Sequence, residues 1–134
     1  MTAGVLQFFE RSTSGVTKTR LKKSTRDQAD GKEKRALICK ACGQAITSDE
    51  ARISINGQHV HTRMNPSGFE YTFDCFRDAP GCRQQGTTSY AHTWFAGYCW
   101  QIAVCGGCGE HLGWLFRNGE VFYGLIEDRL AEKQ

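Results

Sequence analysis

Two C-x-x-C motifs that lie far apart constrain the fold of this chain more than any other feature. They read CKACG over residues 39–43 and CGGCG over residues 105–109, so each is followed by a glycine. Glycine tolerates the positive φ that lets a knuckle turn its backbone amides toward the thiolates. Four thiolates form the tetrahedral ligand set of a closed structural zinc site. We therefore expect one Zn²⁺ ion, bound by Cys39, Cys42, Cys105 and Cys108.

The predicted metal has a structural role. An ion with four cysteine ligands keeps no open position for water, so it is not expected to be catalytic. Residues 43–104 separate the inner cysteines, which is too long a span for one small zinc ribbon and favours a metal that clamps two distant hairpins. The alternative is unmetallated thiols or two local disulfides. The sequence shows no secretory signal, which argues against disulfides and favours a cytoplasmic protein.

The rest of the pattern is typical of antiparallel β-structure, so the predicted fold class is mainly β. Asn-Gly at 56–57 and at 118–119 predicts two tight hairpin turns, and residues 65–68 predict a further turn. Strands are expected on both sides of each Asn-Gly pair, in the alternating segment FEYTF and in CWQIAVC. Residues 77–93 are predicted to be a long loop because Pro and Gly interrupt them, and LIEDRLAEKQ a short helix.

Charge divides the chain into two parts. Residues 1–36 contain nine Lys or Arg and four Asp or Glu, a balance of +5, whereas residues 37–134 contain eight and ten, a balance of −2. We predict a flexible, polar, basic leader over 1–35 and one folded domain over 36–134. The folded part is slightly acidic, which argues against nucleic-acid binding. No apolar run is long enough to cross a membrane.

All three tryptophans fall between residues 92 and 114, and two interpretations of them stay open. They either fill a hydrophobic core or form the walls of a pocket. Counting outward from the second knuckle, Trp100 and Trp114 are expected to face each other across neighbouring strands, with Phe116 on the same face. Trp94 comes from the polar, glycine-bearing loop HTWFAGY, which is typical of surface segments and favours a pocket.

Three further cysteines, Cys75, Cys82 and Cys99, lack knuckle spacing. We expect them to be small buried apolar residues or partly exposed thiols. Nothing in the sequence supports a bridge between Cys75 and Cys82.

The ordered motifs C-x-x-C, NPSGF, HTWFAGYCW, C-x-x-C and HLGW resemble the thalidomide-binding CULT domain of the cereblon family. The resemblance covers residues 36 to about 130, and the short length is similar to that of single-domain bacterial members. It implies a β-tent, in which two antiparallel sheets are pinned by one zinc bound to the four knuckle cysteines. It also implies a ligand site formed by Asn65, Pro66, His92, Trp94, Trp100, Trp114 and Phe116.

The resemblance assigns roles within that site. The three tryptophans form a cage with Phe116 at its base, and His92 and the backbone of Trp94 hydrogen-bond the imide of the ligand. Asn65 and Pro66 line the mouth. Ser67 replaces the histidine that follows the Asn-Pro pair in cereblon, so contacts with the exposed part of a ligand are expected to differ.

The implied function is binding, not catalysis. Expected partners are small cyclic imides such as the glutarimide of thalidomide-type compounds, proteins that carry C-terminal cyclic imides, and uridine-like molecules. We expect neither the segment that joins cereblon to a ubiquitin ligase nor a ligase role. One alternative is an enzyme like methionine sulfoxide reductase B, in which Cys75, Cys82 or Cys99 would have to replace a missing nucleophile. Another is a reader of methylated ammonium groups, although no acidic residue flanks Trp94.

Overall fold

The computed structural model describes residues 35–133 of the chain. Those residues form nine strands and two short 3-10 turns. The strands are β1 (Ala36–Cys39), β2 (Ala45–Ser48), β3 (Val60–Met64), β4 (Glu70–Phe76), β5 (Cys82–Ser89), β6 (Cys99–Cys105), β7 (His111–Asn118), β8 (Glu120–Ile126) and β9 (Leu130–Glu132). Apart from Arg35, the predicted leader lies outside the described residues and stays a prediction.

Two antiparallel sheets make up the fold, as the sequence predicts. The smaller has the strand order β9-β1-β2, and the larger has the order β3-β4-β8-β7-β6-β5. The 3-10 turns cover Asp49–Ala51 and Glu127–Arg129. Within the described range, no helix is long and apolar enough to cross a membrane.

Both Asn-Gly pairs form tight turns. Asn56 and Gly57 have φ angles of 54° and 81°, and Ile55 and Gln58 exchange backbone hydrogen bonds of 2.8 and 3.1 Å on either side of them. Gly119, with φ of 72°, joins β7 to β8. The segment before Asn56 forms only isolated bridges, so the strand expected there is wrong.

The loop predicted over residues 77–93 is also wrong, because it contains strand β5. Cys82 pairs with Cys105, and the pairing with β6 continues to Ser89 opposite Trp100. The register shifts between Gln85 and Ser89, where Gly86 has φ of 82°. Most of β5 is exposed at the sheet edge, so the strand has no buried face and no apolar alternation to reveal it.

The predicted C-terminal helix is wrong as well. After the 3-10 turn at Glu127–Arg129 the chain extends again as β9, with Leu130 opposite Cys39 and Glu132 opposite Leu37. Backbone pairing with β1 therefore overrides the weak local preference for helix. This pairing brings the end of the domain beside the first knuckle.

Two hydrophobic clusters form the core. One contains Cys39, Cys105 and Leu112 and lies by the cysteine knuckles. The other is mainly aromatic and includes Phe73 and Phe95. The aromatic cluster is the platform on which the cavity described below is built.

Candidate functional site

The four knuckle cysteines meet where β1 and β6 end. Their Sγ atoms all lie within 4.8 Å of one another, with 3.7 Å between Cys39 and Cys108 and 3.6 Å between Cys42 and Cys105. Four sulfurs at about 2.3 Å from one zinc ion would be about 3.8 Å apart, so the separations fit tetrahedral coordination. The four cysteines could therefore hold one metal ion.

Each knuckle is closed by its following glycine. Gly43 and Gly109 have φ angles of 83° and 81°, and their N–H groups donate to the carbonyls of Cys39 and Cys105 at 2.7 and 2.9 Å. The N–H of Gly107 points at the Sγ of Cys105, 3.4 Å away.

Burial raises the pKa of the Cys105 thiol, but hydrogen bonds from nearby backbone amides outweigh it and lower that pKa to about 7. This turn thus favours a thiolate at Cys105, which is the form that binds metal. In the first knuckle the direction is the opposite, because burial raises the pKa of Cys39. For Cys42 an amide hydrogen bond lowers the pKa, but burial and hydrogen bonds with neighbouring thiols outweigh it and raise the pKa to about 12.

A second site is a cavity of about 300 Å³ on one face of the large sheet. All seven residues that the resemblance assigns to the ligand site line it: Asn65, Pro66, His92, Trp94, Trp100, Trp114 and Phe116. Three residues that the sequence did not single out line it as well: Tyr71, Ile102 and His111. The structure thus brings the predicted set together, and its role in binding stays a prediction.

The expected direct pairing of Trp100 with Trp114 is wrong, because the strand register differs from the expected one by two residues. Trp100 lies opposite Phe116, and Ile102 lies opposite Trp114. The register of β6 and β7 shifts at Ala103, beside the knuckle, so counting from the cysteines gives the wrong partners. Because the side-chain period of a strand is two, both indoles keep the same face and become diagonal neighbours.

Two of the indoles are in direct contact at right angles. The ring centroids of Trp94 and Trp114 are 4.8 Å apart with an interplanar angle of 80°. Trp94 and Trp100 are each hydrogen-bonded to the backbone through the indole Nε1–H. Trp94 donates to the Met64 carbonyl at 3.1 Å, and Trp100 donates to the Ala91 carbonyl at 2.8 Å. These bonds fix the walls of the cavity in the absence of a ligand.

Phe95 anchors the loop that carries Trp94. It is 2% exposed, and its ring packs edge-on against Phe116 at 4.9 Å and Phe122 at 5.1 Å. Its carbonyl accepts the N–H of Tyr98 at 2.9 Å, which closes the loop. Phe95 is the one large side chain of this loop without a polar atom, and that was the available signal in the sequence.

The same loop presents unpaired polar groups beside the cavity. Within residues 35–133 neither the N–H nor the C=O of Trp94, nor the imidazole of His92, has a hydrogen-bond partner. His92 has φ of 56°, an uncommon conformation for a residue with a side chain. Backbone groups of this kind are satisfied by water or by a ligand.

Tyr71 and His111 support Trp114 from the side. Each ring centroid is 5.2 Å from that of Trp114. The Nε2 of His111 lies 3.0 Å from the carbonyl of Gly113 and must donate to it, because a carbonyl can only accept. Burial lowers the pKa of His111, so the ring is neutral at pH 7. The spacing of FEYTF and HLGW places both residues near Trp114 once the strand register is known.

The other cysteines lie away from the cavity. Cys75 is fully buried, and burial raises its pKa and that of Cys82 to about 12. Cys99 is partly buried, and all three are free thiols. The expectation of small buried or partly exposed thiols is confirmed.

Comparison with a solved structure defines the class of fold. The crystal structure of the Mis18 Yippee-like domain superposes with a TM-score of 0.53 at 15% identity, covering 76% of this chain and 97% of that one. The described residues therefore have a Yippee-like fold of two antiparallel sheets with a four-cysteine cluster. No protein-family model matches the chain.

Sequence relatives define the family. Cereblon of Gallus gallus is 32% identical over 107 residues, which cover 73% of this chain and 24% of cereblon. Cereblon of Danio rerio is 34% identical over 84 residues (60% and 19%), and that of Xenopus tropicalis 30% over 107 residues (73% and 24%). The chain belongs to the cereblon family and carries a domain of the CULT type. It spans about a quarter or less of the length of the curated relatives it matches.

Proposed function

We propose that the chain is a binding module that holds a neutral cyclic imide in its aromatic cavity. The observation that carries the proposal is the convergence of three indoles and the unpaired backbone of Trp94 on one cavity. Its volume of about 300 Å³ is at the small end of ligand pockets, which suits a single six-membered ring.

The polar edge of an imide matches the loop groups. A glutarimide presents carbonyl, N–H and carbonyl in one row. The C=O of Trp94 can accept the imide N–H, while the N–H of Trp94 and the imidazole of His92 can donate to the two carbonyls. Such pairing satisfies ligand and loop together, so neither leaves a desolvated polar group.

The apolar part of the ring matches the indoles. Trp94 and Trp114 contact each other and form a corner, and Trp100 makes no ring contact with either of them within the described range. The free space therefore lies between Trp100 and that corner. Methylene groups placed there would pack against indole faces on more than one side.

We further propose that the metal is a structural zinc ion. Sulfur spacings that fit a tetrahedron and the absence of an open position both support Zn²⁺. The thiols outside the cluster are free, which suits a reducing compartment such as the cytoplasm.

The two alternatives find less support. A reductase needs an activated thiol at its substrate site, but among residues 35–133 no cysteine lines the cavity, and burial raises the pKa of Cys75 and Cys82 to about 12. A reader of methylated ammonium groups has an aromatic cage in its favour. However, no carboxylate from the described part of the chain lines the cavity, and His111 is neutral.

Titration of the protein with three compounds tests the proposal, followed by tryptophan fluorescence. We expect glutarimide to bind, N-methylglutarimide to bind much more weakly, and tetramethylammonium not to bind. Methylation removes the N–H and leaves the Trp94 carbonyl unpaired. Equal binding of the two imides, or preferential binding of the ammonium ion, would refute the imide proposal. The same imide edge is present in a C-terminal cyclic imide on a protein and in uridine. Titration of both in the same assay distinguishes these sources.

A further inference from the structure

Arg129 contacts both sites through different atoms. It ends the second 3-10 turn, between β8 and β9. Its carbonyl accepts the N–H of Lys40 at 3.0 Å, and its Nη1 donates to the carbonyl of His111 at 2.8 Å. Its guanidinium carbon lies 6.0 Å from the centroid of the Tyr71 ring.

These contacts join the metal cluster to the cavity wall. Lys40 lies inside the first knuckle, between Cys39 and Cys42. Tyr71 and His111 line the cavity and both pack on Trp114. Arg129 is partly buried, so its bond to a backbone carbonyl is shielded from water.

The second knuckle is connected to the same cavity wall by a single backbone hydrogen bond. The N–H of Cys105 donates to the carbonyl of Glu110 at 2.8 Å, immediately before His111. Both knuckles therefore converge on the first residue of β7. The Arg129 side chain is the part of this connection that can be removed without touching a cysteine or an indole.

We propose that Arg129 is a positioning residue that couples the four-cysteine metal site to the aromatic cavity. A bound metal orders the first knuckle and so fixes the Arg129 backbone. The guanidinium then holds the His111 carbonyl and the Tyr71 ring where they support Trp114. Coupling between two sites is reciprocal in binding free energy, so a ligand in the cavity should also strengthen binding of the metal. The inference rests on the proposed function for the choice of ligand.

The test measures zinc affinity at equilibrium by competition with a chromogenic chelator, with and without saturating glutarimide. In the unmodified protein, glutarimide should raise zinc affinity about fivefold, the low end of coupling between sites. In Arg129→Gln this effect should largely disappear and glutarimide affinity should fall. Arg129→Lys keeps a cation over Tyr71 and one donor, so it should restore part of the coupling. Arg117→Gln, an exposed arginine on β7, is the matched control and should behave as the unmodified protein.

The outcomes separate the two proposals. If Arg129→Gln keeps the full effect of glutarimide on zinc affinity, the coupling is wrong although imide binding stands. If glutarimide leaves the fluorescence of the unmodified protein unchanged, imide binding is wrong. The coupling is then judged by ligand-free zinc affinity: weaker zinc binding by Arg129→Gln than by Arg117→Gln supports it, and equal affinities overturn it. If Arg129→Gln loses its near-UV circular dichroism, Arg129→Lys takes its place; a partial loss of each effect then supports the coupling, and full retention overturns it.

Discussion

The four-cysteine cluster and the cavity both use the β6–β7 hairpin, yet they are built in opposite ways. The cluster uses two short motifs, each closed by bonds within five residues, such as Gly43 to Cys39. The cavity draws its walls from a turn, a strand, a loop and a hairpin that are distant in sequence. A metal ion can draw four local ligands together, whereas the cavity depends on packing around it.

This difference separates stability from recognition. The cluster lies where β1 of the small sheet and β6 of the large sheet end, so we expect its loss to destabilise both sheets. The cavity residues are held by Phe95 and by the indole N–H bonds, so a single wall can be removed while the sheets persist. Variants in the two regions should therefore fail in different ways.

The largest effect is expected at the cluster. Cys105→Ser removes one thiolate ligand, and zinc-coupled folding energy is on the order of 10 kcal/mol. We expect loss of bound zinc, measured by mass spectrometry, together with loss of near-UV circular dichroism and of the cavity. Cys99→Ser, a thiol outside the cluster, is the control and should keep both. A folded, zinc-free Cys105→Ser protein would contradict a structural role for the metal.

Phe95→Ala should have the next largest effect on stability, because Phe95 anchors the loop that carries Trp94 into the cavity wall. Truncating a buried phenylalanine costs about 3–5 kcal/mol of unfolding free energy. Chemical denaturation should show that loss, while the zinc content of the folded protein stays at one ion. Phe69→Ala is the matched control, because Phe69 is 64% exposed and should change stability little. Equal effects of the two substitutions would show that the loop is not anchored by Phe95.

Trp100→Ala should act on recognition with a smaller effect on the fold. Removing an aromatic anchor weakens binding by about 2 kcal/mol, or roughly thirtyfold in Kd for glutarimide. Trp100→Phe keeps an aromatic wall but loses the hydrogen bond to the Ala91 carbonyl. Its affinity for glutarimide should therefore lie between those of the unmodified protein and Trp100→Ala. Isothermal titration calorimetry measures all three proteins. Unchanged affinity in Trp100→Ala would place the ligand elsewhere.

Deleting residues 1–34 should have the smallest effect. The cavity is lined by residues between Asn65 and Phe116, and the leader is polar and charged. We expect glutarimide affinity to stay within about threefold, which is below 1 kcal/mol. A tenfold loss would assign part of the site to the leader.

The contrast between the two regions also explains what could be predicted from the sequence. Local motifs carry their own geometry, so the knuckles and both Asn-Gly turns were predicted correctly. The β6–β7 register was missed because the shift at Ala103 depends on how the strands meet, which no local pattern records. Strand β5 was missed because it is an edge strand that is paired on one side only and exposes most of its side chains, so it leaves no apolar alternation in the sequence.

The cavity shows the same limit. Trp100, Trp114 and Phe116 could be placed on one face by the period of the strand alone. Tyr71 and His111 could not, since their approach to Trp114 is set by the order of strands in the sheet. For Trp94, the resemblance to a known family supplied what packing rules did not.

The left-handed backbone conformation of His92 makes the domain less stable to heat than it would be with glycine at this position. A residue with a side chain is strained at φ of 56°, whereas glycine adopts that angle freely. Selection for melting temperature alone would favour glycine at this position, and with it the loss of an imidazole from the cavity rim. Thermostable variants of the domain that keep His92 would have to gain their stability elsewhere.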